Sequence, residues 1–567
     1  MLSWKRENPI SRSSQSFLNA CSKASLTKHL PARLSYYNLA GMKRRLFRVS
    51  ILFILILLGL TGYIKGCDSC VLPKQKPISY PSENNSDSIV TVAAGQHYEQ
   101  GELHEIIFGE QYRELWALPI EMPVFNITKI NGGMKILHKG GSMQTLNLRL
   151  EDKEGKEYVL RTVDKDNANA LPSALRNKVL NFIIRDQTSA LNPYSALIIA
   201  PLAEAAGIFH TNPKLYYIPS DPNFGQYQQE FERRVVMLEE QPDESWIESD
   251  LFGKPVDIIS TGSMLENKFT RQDILLDQQE YARARIFDLW INDWDRHADQ
   301  WRWAEFKDDG ITVYKPIPRD RDIAFFKFNS GILPKLVTLF NPKFQSFNYG
   351  YGNVEGLVKN AKAIDNLILN RLSKKDFINI AKELEQKLTD SVIIEAISHW
   401  PEEVIKKSGV ETLSKLKTRR ENLVKAAEEY YTIVFEEVVI TGTDKEETFI
   451  IERLNDNETS VKVLDEDDKI IFQQTYLRSV TEEITLYGLK GDDSFLLTGN
   501  ASKGLLVKIY GGEGKDKLRD HSFVKGYKNK TKVYDTERGN DFEFGPETED
   551  LTTSDPRILY FDRTGER

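Results

Sequence analysis

Two short acidic segments carry the residue types that phosphate chemistry needs. Residues 291–303 read INDWDRHADQWRW, and residues 319–322 read RDRD. Phosphoryl transfer uses one carboxylate to orient the acceptor hydroxyl and further oxygen ligands to hold the metal ion on the phosphates. The spacing predicts a site for ATP with Mg²⁺ or Mn²⁺, with Asp295 and His297 as catalytic residues and with Gln300, Asp320 and Asp322 as metal ligands.

Two predicted elements bring these segments together. The stretch QDILLDQQEYARARIFDLWI predicts an amphipathic helix that leads into residue 291, with one face formed by Leu275, Tyr281, Ala282, Arg285 and Leu289. The strands WRWAEF and ITVYKPIP flank an Asp309-Gly310 turn, which predicts a hairpin. This hairpin returns the second acidic segment to the side of the first, so that their carboxylates share a cation.

The chain before this helix supplies groups that suit phosphates. MKILHKGG, SMQTLNLRL and KEYVLRTV alternate apolar and polar residues between glycine turns, which predicts a small antiparallel sheet. Arg161 in the third strand is suited to phosphate oxygens. Gly140 and Gly141 offer backbone N–H groups to cover them, and Glu204 offers Arg161 a partner. The alternatives are an ordinary Gly-Gly turn and a solvated glutamate on a helix.

The two acidic segments resemble those of atypical kinases. DRH with an amide five residues after the aspartate is similar to phosphoinositide and secretory-pathway kinases, and PIPRDRDIAF is similar to the acidic loop of spore-coat CotH kinases. The resemblance implies that Asp295 is the catalytic base and that Asp320 or Asp322 binds the metal. Gln300 stands where those families commonly have Asn, and Arg161 where kinases keep a lysine. Pseudokinases show such substitutions too.

Two other interpretations of the same segment stay open. DWDRHADQW also fits a buried ion-pair network without chemistry, clamped by Trp294, Trp301 and Trp303. Clustered carboxylates repel one another unless a cation or arginines offset their charge, and the neighbouring arginines are able to do so. A zinc hydrolase is the third interpretation, although only His297 lies near the acids and zinc sites favour several His or Cys ligands.

The last part of the chain has a different pattern. Residues 355–434 have helical spacing, and the sequence from 436 onward has β-type alternation. GLKGDDSFL and GGEGKDKLR resemble the calcium-binding nonapeptide turns of RTX proteins. The resemblance implies a calcium site with Asp492 and Asp516 as ligands. The alternative is two ordinary glycine turns of a β-solenoid or sandwich.

The N-terminus indicates export. Basic residues 43–48 precede an apolar run over 49–64, which is short for a membrane span, and the run ends before Cys67. This resembles a bacterial lipoprotein signal lipidated at Cys67; an uncleaved anchor or a simple signal peptide are the alternatives. The net charge is −8, which excludes an ordinary basic nucleic-acid binder. We expect an extension over 1–41 with Met42 as the true start, a signal over 42–66 and a flexible tether over 67–108.

The body also resembles a family of surface proteins. QTLNLRLEDKEGKEYVLRTVDKD, NPKLYYIP and ITLYGLKGDDSF are similar to the central region of Bacteroidota cell-surface proteins, which often carry a calcineurin-like phosphoesterase domain and an outer-membrane β-barrel. The resemblance implies an envelope location and a barrel or phosphoesterase partner. The predicted fold is α+β, with a kinase-like two-lobed body over 109–435 and a β-rich domain over 436–567. The predicted function is phosphoryl transfer to an unknown acceptor, and the alternative is a non-catalytic envelope module.

Overall fold

The structure, a computed structural model, is a mixed α/β protein with several separate sheets. It describes residues 73–78, 89–140, 144–170, 176–526, 529–537 and 539–566. The predicted signal, the lipidation residue Cys67 and Gly141 lie outside these residues. Within them, no helix has the length and apolar character that crossing a membrane requires.

The first sheet contains the strands that the sequence predicts, together with two more. Its order is β3-β4-β5-β7-β6, and every pairing is antiparallel. The strands and helices of this part are β1 (Ile89–Ala93), α1 (Glu102–Phe108), α2 (Arg113–Ala117), β2 (Pro119–Pro123), β3 (Lys135–Lys139), β4 (Asn147–Glu151), β5 (Glu157–Thr162), α3 (Lys178–Asp186), α4 (Ser195–Ala206), β6 (Lys214–Ile218), α5 (Gln228–Phe231) and β7 (Arg234–Glu240).

Residues 89–108, which the sequence analysis assigned to a tether, belong to the folded body. Strand β1 pairs antiparallel with β2. Val92 and Phe108 are fully buried, because alternating apolar residues in β1 and the apolar side of α1 pack against the body. Part of the preceding segment also contacts the body, because the N–H groups of Gln75 and Ile78 donate to the carbonyl oxygens of Arg233 (2.7 Å) and Thr91 (2.9 Å).

The second sheet positions the acidic segments. Its elements are β8 (Asp257–Ser260), α6 (Thr261–Thr270), β9 (Ile274–Leu276), α7 (Gln278–Ile291), β10 (Trp301–Asp308) and β11 (Ile311–Pro318). Strands β10 and β11 form the predicted hairpin, with positive φ at Asp309 and Gly310. The predicted helix begins later than expected, because Leu275 lies in β9, which pairs in parallel with β11. Helix α7 still ends at the motif.

Helices fill the next part, as the sequence predicts. They are α8 (Ile332–Phe340), α9 (Val354–Val358), α10 (Lys362–Ile368), α11 (Lys374–Lys387), α12 (Asp390–Ile397), α13 (Glu402–Val404), α14 (Val410–Glu421) and α15 (Leu423–Phe435). Their apolar faces enclose α7, in which Trp290 and Ile291 are fully buried. The end of α7 is therefore held in the middle of the core rather than at the surface.

The C-terminal part is built from strands that pair with later passages of the chain. They are β12 (Glu437–Thr441), β13 (Thr448–Arg453), β14 (Glu458–Leu464), β15 (Ile470–Leu477), β16 (Glu483–Lys490), β17 (Ser494–Thr498), β18 (Asn500–Ala501), β19 (Leu506–Glu513), β20 (Lys517–Asp520), β21 (Phe523–Val524), β22 (Thr531–Tyr534), β23 (Asp541–Glu543) and β24 (Thr548–Asp550). The sheet β12-β16-β19-β22-β24 is parallel throughout. The sheet β13-β17-β20-β23 is also parallel, with β14 and β15 added antiparallel at its edge. Parallel pairing stacks equivalent residues of successive passages.

Candidate functional site

The loop with Asp295 begins where α7 ends. Asn292 takes the left-handed conformation that closes a helix (φ 63°, ψ 37°). Arg419 on α14 donates hydrogen bonds to the carbonyl oxygens of Leu289 (2.6 Å) and Trp290 (2.8 Å). Carbonyls in the last turn lack the full set of helical partners, so Arg419 helps to fix the direction in which the chain leaves α7.

A buried ion-pair network holds the loop from inside. Asp288 on α7 accepts hydrogen bonds from Arg321 (3.0 Å) and Arg285 (3.2 Å), and its other contact is Arg296 (3.4 Å). The guanidinium of Arg296 lies over the Trp301 ring, 4.9 Å from its centre. This is the structural network that the sequence analysis considered as an alternative. It uses Arg296 and Arg321 but not Asp295.

The same arginine joins the two acidic segments. Arg296 donates to the carbonyl oxygens of Arg319 (2.6 Å) and Gln300 (3.1 Å), and the Arg319 N–H donates to Gln300 (2.9 Å). The Gln300 amide lies 3.3 Å from the ring of His297. Gln300 thus connects the segments through its backbone, while its side chain faces the predicted catalytic histidine.

Asp295 has its own partners. Its Oδ1 accepts a hydrogen bond of 2.7 Å from the Asn360 amide. Burial lowers the pKa of the nearby Lys343 to about 8, and the negative charge of Asp295 opposes that shift. Asp295 is 9% exposed. Asp295 is therefore a nearly buried carboxylate, with an amide donor that fixes its orientation.

The second acidic segment meets the first sheet through two ion pairs. Arg161 on β5 pairs with Asp320, and Lys165 pairs with Asp322. The chain bends at residues 163 and 164, but the Val163 N–H still bonds to Val235 (3.1 Å) and side-chain burial keeps the alternation of a strand from Arg161 to Lys165. Residues four apart in an extended chain point the same way. Arg161 and Lys165 therefore lie on the same side of the chain, where Arg161 faces Asp320 and Lys165 faces Asp322.

Burial and close charges shift the titration of this cluster. Burial alone would raise the pKa of Asp320, but Arg161 and then Lys165 hold it far below its ordinary value. Burial and then the Asp320 carboxylate raise the pKa of Asp322. Burial opposes protonation of Lys165, yet Asp322 and Asp320 keep its pKa above the ordinary value. The cluster therefore holds two cations and one firmly ionised carboxylate.

A cleft of about 240 Å³ opens beside this cluster. Its walls come from β4, β5, β7 and the segment after β11, and they include Asn147, Arg149, Arg161, Gln241 and Arg319. Three guanidinium and two amide groups share the lining with the carboxylates of Glu239, Glu240 and Asp320, and the guanidinium groups are the ones suited to an anionic ligand.

The partner of Arg161 differs from the prediction. Arg161 pairs with Glu239 on β7 as well as with Asp320, whereas Glu204 is exposed on α4. The prediction of an Arg161–Glu204 pair is wrong, because β7 lies directly against β5 and brings Glu239 closer.

Gly140 follows β3, and its N–H donates to Asn147 (3.0 Å). A Cβ at Gly140 would lie 1.5 Å from the Asn147 Oδ1, so its glycine is needed for close approach to the cleft wall.

Sequence reasoning missed three residues of the site. Lys165 had a readable signal, because it lies four residues after Arg161 in an extended stretch. Glu239 ends a strand whose pairing with β5 no local pattern reveals. Asn360 lies between α9 and α10, far from Asp295 in sequence, and only the tertiary fold brings it there.

The acidic residues suit a metal held partly by its substrate. Among the residues that the structure describes, no three His, Cys, Asp or Glu side chains are grouped so as to hold a metal ion. Mg²⁺ commonly uses one or two carboxylates and completes its shell with water and phosphate oxygens. The neighbouring Asp320 and Asp322 fit that requirement, with Arg161 and Lys165 beside them for phosphate.

The C-terminal part contains a row of buried carboxylates. Asp493, Asp516 and Asp535 are fully buried, and one oxygen of each lacks a hydrogen-bond partner. The N–H of Glu447 donates to Asp493 (2.8 Å), and the N–H of Asp493 donates to Asp516 (2.9 Å). Burial and then Glu447 raise the pKa of Asp493 to about 9.

The predicted calcium ligand Asp492 is not a member of this row. Its side chain is exposed and accepts a hydrogen bond from the Lys515 N–H (2.9 Å). Ser494 is level with Lys517 in the parallel pairing, so the residue equivalent to Asp516 is Asp493. A one-residue change in register moves a side chain to the other side of the strand.

Comparisons with known proteins return little. No family model and no curated protein matches the chain. Among solved structures it is similar to the proinflammatory kinase CtkA of Helicobacter pylori, at 10% identity over 52% of this chain and 95% of that one, with a TM-score of 0.27. It is also similar to a chain of the HipA–HipB–operator DNA complex of the Shewanella oneidensis MR-1 toxin–antitoxin system, at 11% identity and a TM-score of 0.24, over 52% of this chain and 66% of that one. Likenesses at such TM-scores establish neither fold nor activity.

Proposed function

We propose that the protein binds a Mg- or Mn-nucleotide and transfers its phosphoryl group, with a two-lobed kinase-like body. One observation carries the proposal: the cations of the first sheet, Arg161 and Lys165, lie against the acidic residues after the hairpin, Asp320 and Asp322. Phosphate-binding cations beside metal-binding carboxylates are what phosphoryl transfer requires.

The roles follow from the chemistry of each group. Asp320 and Asp322 would hold the metal, which neutralises charge on the phosphates. Arg161 and Lys165 would then turn from the carboxylates to phosphate oxygens. Asp295, oriented by Asn360, would accept the proton of the acceptor hydroxyl, as a carboxylate near the reacting group does in such transfers.

The proposal is tested by binding and by turnover. Mg-ATP at about 100 times its dissociation constant stabilises a protein by about 2.7 kcal/mol, so the melting temperature rises. Asp295→Asn should keep that rise and lose at least 100-fold of phosphoryl transfer or ATP hydrolysis, since general-base catalysis contributes about 10²–10⁴-fold. Asp299→Asn, an exposed change in the same loop, is the control and should keep activity.

A non-catalytic module is the second candidate. Asp320 and Asp322 each already have a cation partner, which fits a static clamp between the first sheet and the hairpin. On that alternative, no nucleotide with Mg²⁺ or Mn²⁺ changes the melting temperature. A nucleotide shift without turnover would instead identify a binding protein without transfer activity.

We further propose that the C-terminal part is a β-solenoid in which one neighbouring pair of the row, Asp493 and Asp516, exchanges protons for Ca²⁺. Partnerless buried oxygens support this, because calcium prefers several oxygen ligands.

Location in the cell envelope, with lipid on Cys67, remains a proposal from the sequence. Membrane fractionation of the full chain and of Cys67→Ser tests it, since the serine variant should leave the membrane fraction if the lipid is the anchor.

A further inference from the structure

Three arginines at the cleft are not explained by the ion pairs described above. Arg149 lies on β4, Arg302 on β10 and Arg319 directly after β11. Arg149 and Arg319 line the cleft. Arg302 does not line the cleft itself, but it is level with Ile317 in the hairpin, two residues before Arg319, so it lies on the same side of the hairpin as Arg319.

Among the residues that the structure describes, none of the three forms an ion pair with a carboxylate, although the charges of Asp299 and Asp243 act on Arg302 and oppose the lowering of its pKa. Arg149 donates to the neutral amide of Gln241, and Arg302 donates to the carbonyl oxygen of Trp301 (3.2 Å). Nη1 of Arg319 is buried and has no hydrogen-bond partner. Three acids line the same cleft: Glu239 and Asp320 are paired with Arg161, and Glu240 accepts hydrogen bonds from Asn212 (2.6 and 3.4 Å).

The arginines also repel one another. Burial and then the charges of Arg319 and Arg149 lower the pKa of Arg302 to about 9. Burial and then Arg319 lower the pKa of Arg149 to about 10. A fold that keeps three like charges together loses stability unless an anion joins them. Forked guanidinium groups bind phosphate oxygens two at a time.

We propose that Arg149, Arg302 and Arg319 bind a phosphate-like dianion carried by the acceptor substrate, beside the nucleotide. The assignment of this dianion to the acceptor rests on the proposed phosphotransferase function. The acceptor would then be an already phosphorylated or similarly dianionic molecule, oriented by its charged group.

Thermal unfolding in inorganic phosphate tests the anion site. Phosphate should raise the melting temperature of the wild type by about 2 °C or more, and Arg302→Gln should abolish that rise. In phosphate-free buffer, Arg302→Gln should melt at or above the wild-type temperature, because it relieves repulsion. Arg557→Gln removes a charge from a residue that is 88% exposed and should keep the phosphate response.

Two results would overturn the site. One is an undiminished phosphate response in Arg302→Gln; the other is a clear loss of melting temperature without phosphate, which indicates a packing role. If Arg302→Gln does not fold, Arg149→Gln serves for the same comparison, because Arg149 lines the cleft from a different sheet.

Saturating Mg²⁺ with a non-hydrolysable ATP analogue distinguishes the two sources of phosphate. If the phosphate response adds to the nucleotide response, the dianion belongs to a second ligand, as proposed. If the two responses exclude each other, the arginines hold the nucleotide's own phosphates and the acceptor assignment is wrong. If the nucleotide has no effect but the phosphate response still depends on Arg302, the anion site stands and the phosphotransferase proposal fails.

Discussion

The ion pair between Lys165 and Asp322 joins the first sheet to the acidic segment, and a double-mutant cycle tests it. The side chains are 11% and 17% exposed, so water screens their charges little. Removing one partner of a buried ion pair typically costs about 3–5 kcal/mol, because the other charge is left buried and unpaired. We expect Lys165→Met to lower the free energy of unfolding by about 3 kcal/mol at pH 7.

The size of this loss should depend on pH. Without Lys165, Asp322 keeps the burial and the Asp320 charge that already raise its pKa. An unfolded aspartate titrates near about 3.9. An acid whose folded pKa is higher than that loses stability as pH rises between the two values, because only the unfolded state ionises freely. The loss in Lys165→Met should therefore be small near pH 4 and grow toward neutral pH.

The double variant gives the coupling free energy between Lys165 and Asp322. Asp322→Asn together with Lys165→Met leaves neither charge unpaired, so it should be more stable than Lys165→Met alone and within about 1 kcal/mol of Asp322→Asn. Urea unfolding at pH 5 and pH 7, followed by tryptophan fluorescence and circular dichroism, gives the four free energies. Lys156→Met breaks an exposed pair with Glu154 (35% and 75% exposed) and should change little. If the losses of unfolding free energy in the two single variants simply add in the double variant, the ion pair is refuted.

The remaining predictions concern the carboxylate row. Asp493→Asn keeps the shape of the side chain but cannot ionise, and it should stabilise the protein by on the order of 3 kcal/mol at pH 7. The reason is that the pKa of Asp493 is raised, so the stability of the wild type falls as pH rises from about 4 toward 9. The exposed Asp492→Asn is the control, and the assignment would be contradicted if Asp493→Asn and the wild type had the same dependence of unfolding free energy on pH. Calcium at millimolar concentration should raise the melting temperature of the wild type but not of Asp516→Asn, and an unchanged wild type would leave protons as the sole occupants of the row.

Much of the local structure was predictable because it depends on short patterns. The Asp309-Gly310 hairpin, the alternation in β3 to β5 and the helix that ends at residue 291 all follow from spacing and turn chemistry. Leu275 was misplaced because an apolar residue near a helix start also fits a short strand, and pairing with β11 decides between them. The nonapeptide pattern points to Asp492, whereas the row contains Asp493, because the direction of a side chain depends on strand register, which the parallel neighbour sets.

The sequence by itself determined which chemical groups are available: two acidic segments in a helix–loop–hairpin order, strands that carry Arg161, and a β-rich C-terminal part. The tertiary structure decided which of those groups meet. Lys165, Glu239, Asn360 and the cluster of Arg149 and Arg302 come from separate strands and turns, and no local pattern encodes their contacts. Ion pairs and hydrogen bonds act over a few ångströms in space, whereas sequence periodicity describes only neighbours along one element.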